Sequence, residues 1–132
     1  MPLSDLFQPV KRATILIPDG SNAGRHLHVV LTDTCDDGKN LIISISSIGK
    51  KPFYDATCLL GENDCDWLKE ASFAFYAQMK IVDSELLIKN VRENRTKYEG
   101  LLEEVAFAHV CHGIEQSKFA APEHKEYYVS NS

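Results

Sequence analysis

Leu27-His28-Val29-Val30-Leu31-Thr32, followed by Asp33-Thr34-Cys35-Asp36-Asp37-Gly38-Lys39 and then Asn40-Leu41-Ile42-Ile43-Ser44-Ile45-Ser46, is the stretch on which the fold turns. Two β-branched apolar runs flank an Asp-Gly pair, and this combination predicts an antiparallel hairpin. Upstream, Ala13-Thr14-Ile15-Leu16-Ile17 is another β-branched run. Pro18 ends it, and the turn-rich segment to Gly24 (Asp19, Gly20, Ser21, Asn22) reads as a flexible loop. Residues 1–12 show no periodicity and read as a loosely held arm.

Downstream, Thr57-Cys58-Leu59-Leu60 is a short strand closed by Gly61. Residues 72–82 fit strand or helix by periodicity, and their aromatic content and the following Asp83-Ser84 favour strand. Asp83-Ser84 then caps a short helix over Glu85-Leu86-Leu87-Ile88, ahead of a charged, solvated stretch from Lys89 to Lys97. Leu101, Leu102, Val105, Ala108 and Val110 or Cys111 approach helical spacing, so Tyr98 to His112 reads as an amphipathic helix stopped by Gly113. Residues 118–132 read as a polar tail. Strands early and helices late give an α+β, mainly β domain: a small, strongly bent antiparallel sheet or barrel with a C-terminal helix over one opening.

A chain of 132 residues with 44% hydrophobic and 25% charged side chains has the length and composition of a single domain, residues 1–132, that folds on its own. It has no apolar run of the roughly 20 residues needed to span a bilayer, and its start lacks a signal-peptide pattern. The expectation is a cytoplasmic protein with no membrane partner. Fourteen Lys and Arg against nineteen Asp and Glu give a net charge of -5, which removes bulk attraction to nucleic acid and leaves only a local patch for that purpose. The four cysteines have no CxxC spacing and read as thiols.

Several side chains have the chemistry for a site. Arg25 stands beside two histidines and a Gly-rich turn. Strand alternation puts His26 and His28 on one side and Leu27 on the other, so both imidazoles can face one groove, one of them as a satisfied structural group. Ser46 and Ser47 end their strand in hydroxyls. Lys50 and Lys51 next to Phe53 and Tyr54 form a basic-aromatic cluster of the kind that tracks a phosphate backbone and stacks bases. Cys58, Cys65, His109, Cys111 and His112 have zinc-type donors but no finger spacing, so no metal is assigned. Trp67, Phe73, Phe75 and Tyr76 read as core and dimer contacts, and Leu86, Leu87, Ile88 and Val91 as an apolar surface that packs on the barrel.

The order Gly24-Arg25-His26-Leu27-His28 through Asp33, the Asp-Gly turn, Leu41 through Ser47, Thr57-Cys58-Leu59-Leu60-Gly61-Glu62-Asn63-Asp64 and Ser72-Phe73 resembles the PemK/MazF-like toxins of bacterial toxin–antitoxin systems. The ending Gly113-Ile114-Glu115-Gln116-Ser117-Lys118-Phe119 with Pro122 looks like the same branch, so the resemblance covers about Ile15 to Pro122. It implies an SH3-like β-barrel with a C-terminal helix, a homodimer, and an endoribonuclease that cleaves single-stranded RNA, with mRNA the expected substrate, without metal or cofactor until a cognate antitoxin binds. Carried over by position, Arg25 holds the phosphate, Ser46 and Ser47 orient it, and His26 or His28 moves the proton. Cleavage through the RNA's own 2′-OH needs such a set: a base, an acid and a cation for the developing charge. The chain departs from the pattern with His26 after Arg25 where many of these toxins carry Pro, Ser46 in place of Thr, and Cys65 and Glu70-Ala71 where the related branch carries histidines. Two other readings stand beside it: a catalytically silent barrel that binds a protein or nucleic acid, and a small metal- or thiol-dependent hydrolase built on the Cys/His set.

Overall fold

The computed structural model describes residues 7–18 and 25–132. The Pro18 to Gly24 loop therefore lies, beyond Pro18 itself, outside the described residues, as does the first half of the N-terminal arm. The chain is α+β and mainly β. Six antiparallel strands form one curled, half-barrel sheet: β1 (Ala13–Pro18), β2 (Arg25–Val30), β3 (Lys39–Ser47), β4 (Leu59–Leu60), β5 (Ser72–Asp83) and β6 (Lys97–Leu101), in the order β4-β5-β3-β2-β1-β6. The hairpin is β2–β3, with His28 opposite Ser44 and Leu27 opposite Ile45. Among the described residues three helices complete the fold: α1 (Ser84–Arg92), α2 (Glu104–Gln116) and α3 (Pro122–Asn131).

β3 is buried at nearly every position because both faces of the sheet are covered along part of its length. On one face Leu27, Val29, Leu41, Ile43, Ile45 and Tyr76 meet Leu102, Ala106, Val110 and Ile114 at the start of and along α2. On the other, Ile15, Val30 and Ile42 meet Phe7 together with Leu87 and Val91 of α1. Burying each such side chain contributes about 1.5–3 kcal/mol. α1 is the apolar surface read from the sequence, except that Leu86 is exposed. It covers only part of its face, and the uncovered remainder is the groove described below.

Several expectations are corrected. Residues 7–12 are not a loose arm: Phe7 is buried and stacks edge-on to Tyr98 at 5.3 Å, and Arg12 Nε donates to the Leu102 carbonyl at 2.8 Å. Tyr98 to His112 is not one helix. Its first part is β6, paired with β1, where Gly100 has φ of +92°, which no helix interior accommodates, and Thr14 Oγ1 donates to its carbonyl at 2.7 Å. Nor does Gly113 stop α2, which runs on to Gln116. That glycine lies inside the helix because a Cβ there would strike the Tyr76 ring. The polar tail contains α3, begun by Pro122 at its first turn and held to the core by Tyr127 and Tyr128. The short helix after Asp83-Ser84 also continues to Arg92 through part of the stretch read as solvated, and Asp83 makes no side-chain cap.

Ser84 has a different task. Its hydroxyl donates to Asn40 Oδ1, and Asn40 Nδ2 donates to the carbonyls of Pro9 at 2.9 Å and Thr32 at 3.0 Å. Asn40 is fully buried and ties the N-terminal segment, the hairpin and α1 at one point. Asn40→Ala strands all three partners away from water, so a loss of roughly 2–4 kcal/mol is expected in equilibrium urea unfolding.

Candidate functional site

The uncovered half-face of the sheet is a groove across β1, β2, β3 and β5. Strand register builds its floor: His28 stands opposite Ser44, Ser44 opposite Phe75, and Ser46 opposite Phe73. Between Ile42 and Ser44 the register with β5 slips, so that Ile42 faces Lys80 while Ser44 faces Phe75. The extra β5 residues drive Tyr76 and Met79 into the core on the other side and leave Gln78 and Lys80 exposed on the groove wall.

Two adjoining cavities occupy this surface. The first, 620 Å³, is lined by Arg25, His26, Ser47, Trp67, Lys69 and Glu70, among others. The second, 520 Å³, is lined by His26, His28, Ser44, Ser46, Phe75 and Lys80, with Ser47, Lys51 and Gln78 at its side and Ile17 and Pro18 at its end. His26 and Ser47 line both and form the boundary between them. All five residues expected to carry catalysis therefore border one continuous surface, with Arg25 in the first cavity, His28 and Ser46 in the second, and His26 and Ser47 between them.

Ser47 Oγ donates to Glu70 Oε1 at 2.6 Å, which places a carboxylate beside the hydroxyl, His26 and Arg25 in the first cavity. Glu70 was not among the expected site residues. Lys51 Nζ donates to the Ser47 carbonyl at 2.7 Å and lines the second cavity. Tyr54 stacks on Phe73 at 5.6 Å, and Phe73 on Phe75 at 5.2 Å, an aromatic row along the groove. Lys51 thus joins the site. Lys50, Phe53 and Tyr54 line neither cavity, and Phe53 is 90% exposed.

The loop carrying these groups is pinned from below. Asp55 is buried and accepts from Ser117 Oγ at 2.6 Å and from the Thr57 backbone amide at 3.0 Å. Burial alone would raise the Asp55 carboxyl, but these hydrogen bonds outweigh it and hold the group below its ordinary range.

Charge is segregated on the molecule. Among the described residues no carboxylate lines the second cavity, whereas a neighbouring cavity beyond Trp67 is lined by Asp64, Asp66, Glu99 and Glu103. A chain of net charge -5 therefore presents a locally cationic groove.

His28 is held in a defined state. Its Nδ1 lies 3.0 Å from the His26 carbonyl, which only accepts, so Nδ1 carries the proton. Burial lowers the pKa of the ring from 6.5, against the raising effect of that hydrogen bond and with the Lys80 charge and His26 adding to the decrease. A neutral ring then leaves Nε2 as an acceptor. The unfolded chain takes up this proton before the folded one does, so the His28 contribution is complete above about pH 6.5 and is lost as pH falls below it. In chemical denaturation from pH 7 to pH 5, the wild-type chain is expected to lose stability more steeply than His28→Gln.

The Cys/His set does not gather. His109 and His112 are exposed on α2 while Cys58 is buried, and among the described residues no group of three His, Cys, Asp or Glu side chains is placed to hold a metal ion. Burial raises the Cys58 thiol to about 11 and also pushes Cys111 up, the opposite of an activated nucleophile. Phe73 and Tyr76 are core residues as read, while Trp67 is exposed at the rim and Phe75 is half-buried. No helix among the described residues is long and apolar enough to cross a membrane. In comparisons with known proteins, no family model matches the chain and no curated protein is similar to it.

Proposed function

We propose that the chain is an endoribonuclease that cleaves single-stranded RNA through the RNA's own 2′-OH, in the manner the resemblance to PemK/MazF-like toxins implies. The observation that carries this reading is the convergence of Arg25, His26, Ser47 and Glu70 on one cavity that opens into a cationic, aromatic-lined groove.

Each group has a task in that reaction. The Arg25 guanidinium, exposed at the start of β2, offers a planar fork of donors to the non-bridging oxygens as the phosphorane forms. Ser47, oriented by Glu70, hydrogen-bonds the same phosphate. His26 and Glu70 are the two proton-moving groups: one takes the 2′-OH proton and the other gives a proton to the leaving 5′-oxygen. The 2′-oxygen bonds to phosphorus as the bond to the 5′-oxygen breaks, leaving a 2′,3′-cyclic phosphate and a 5′-hydroxyl. Lys51 and Lys80 hold flanking phosphates, and Phe75 offers a face for an unpaired base. His28, satisfied by the His26 carbonyl, fixes the β2 backbone and faces the second cavity.

In this reading the substrate is cytoplasmic mRNA, and an antitoxin segment silences the enzyme by filling the groove, with a second copy of the chain completing a homodimer. Expression of the wild-type chain in bacteria beside Arg25→Ala, following growth and mRNA integrity together, tests it. Growth arrest with fragmented mRNA, relieved by the substitution, is the expected result. Intact mRNA from a folded chain that still binds RNA would favour a silent binding barrel instead.

A further inference from the structure

The curled sheet leaves a seam between its two ends. Among the described residues β6 is an edge strand, paired with β1 on one side and with no strand on the other. At the opposite end of the sheet the chain leaves β4 at Leu60, and residues 63–67 just beyond it line the same 450 Å³ cavity as Glu99, Leu101 and Glu103 at the end of β6 and after it. An edge strand presents unpaired backbone donors and acceptors to any strand that can reach it. This edge is open at Gly100, where a Cβ would meet nothing within 4 Å, and the apolar side chains of Leu101 at its end and Val105 at the start of α2 are exposed. The cavity decides what fits there. Asp64, Asp66, Glu99 and Glu103 contribute carboxylates, and among the described residues no Lys, Arg or His lines it. Asp64 Oδ2 accepts from the Gly61 amide at 2.8 Å and Glu103 Oε2 from the Ala106 amide at 3.0 Å, bonds that fix these side chains and favour their charged form. Lys97 reaches Glu99 at 3.3 Å, and Asp66 is exposed. Trp67 and Leu101 supply apolar wall. On such a wall the methylene stem of an Arg or Lys packs while its head meets the carboxylates, and the indole face adds cation–π attraction.

We propose that this seam is a docking site for a basic, extended segment of a partner protein, which adds to the free edge of β6 as a further strand and places Arg or Lys side chains in the acidic cavity. Side chains alternate along a strand, so every second residue of the segment is the basic one. The carboxylates repel a phosphate backbone, which sets RNA aside as the occupant, and a second copy of the chain, at net charge -5, lacks the bulk charge complementarity that a basic segment has. The seam is separate from the RNA groove. Among the described residues it shares Trp67 alone with the first cavity and no residue with the second, so the proposal stands whether or not the chain cleaves RNA.

The probe is a synthetic peptide of about six residues, the usual strand length, in which arginine alternates with valine, titrated into the full chain. Trp67 is the single tryptophan and lines the cavity, so its fluorescence reports occupancy. The expected result is a saturable shift in emission, with a Kd raised about tenfold by Asp66→Asn combined with Glu99→Gln. Glu85→Gln combined with Glu93→Gln removes the same charge from exposed positions on and just after α1 and should leave the Kd unchanged. None of the four positions is buried, so both variants should melt as the wild type does, and Asp66→Asn alone should raise the Kd about threefold should the first pair fail to fold. The same peptide with alternate backbone amides methylated should lose most of its affinity, because it cannot complete a ladder with β6. No shift at Trp67, a Kd unchanged by the Asp66 and Glu99 substitutions, or equal binding of the methylated peptide would overturn the proposal. So would a dimer in sedimentation velocity that the peptide does not disperse and that excludes it, which would assign the edge to a second copy.

Discussion

Arg25→Ala is expected to lower RNA cleavage by the purified chain by on the order of 10²- to 10³-fold, the scale set by removing one preorganised donor to a developing oxyanion. The side chain is exposed on β2 at the mouth of the first cavity, so no packing is lost with it. Thermal stability should stay within about 0.5 kcal/mol of the wild type, as for other exposed substitutions. This pairing of outcomes is the informative part. A loss of activity with an unchanged melting curve assigns the effect to the phosphate, and Arg25→Lys, which keeps the charge but not the planar fork, should recover only part of it.

Gly113→Ala should have a large effect on folding for a single added methyl. In an exposed helix interior the substitution stabilises by about 1 kcal/mol. Here the sign reverses. A Cβ at position 113 meets the hydroxyl and ring of Tyr76, with the ring carbon bearing the hydroxyl at 2.7 Å. Tyr76 has no room to yield, because it is fully buried and its hydroxyl donates to the Val110 carbonyl at 2.6 Å. Overpacking of this kind costs about 1–3 kcal/mol, and more where the backbone has to move. A net loss of about 2–3 kcal/mol is expected in urea unfolding. Combining it with Tyr76→Phe, which removes the clashing hydroxyl, should give a double variant less destabilised than the sum of the two singles.

How much of this was legible in the sequence depends on how local each signal is. The β2–β3 hairpin was readable because β-branched runs on either side of Asp37-Gly38 specify pairing and turn together. β5 was readable from its aromatics. The strand at Tyr98 was not, because Leu101 and Leu102 mimic helical spacing although Leu101 is 53% exposed and only Leu102 is buried. Pairing with β1 overrode that pattern, and Gly100 was the available clue. α3 was illegible for the opposite reason: it buries no residue fully and docks through two tyrosines, so its sequence looks like a polar tail.

The site divides in the same way. His26 and His28 could be grouped in advance because strand alternation is a period of two and survives without knowledge of partners, whereas the adjacent Ser46 and Ser47 were joined to them only by the resemblance. Phe75, Gln78 and Lys80 required the β3–β5 register, which the slip between Ile42 and Ser44 makes unreadable from either strand alone. Glu70 is on a loop 23 residues from the Ser47 it orients, and nothing local announces the contact. The missing hydrogen-bond partner of Ser44 is visible only once His28 and Phe75 stand on either side of it.

The central claim is that the groove cleaves RNA by 2′-OH attack at Arg25, Ser47, His26 and Glu70. The most direct measurement is incubation of the purified wild-type chain with single-stranded RNA in excess EDTA, with the new ends identified by mass spectrometry. The account predicts fragments ending in 2′,3′-cyclic phosphate and beginning with 5′-hydroxyl, absent with Arg25→Ala. Intact RNA from a folded chain, or fragments with 3′-hydroxyl and 5′-phosphate ends, would contradict it.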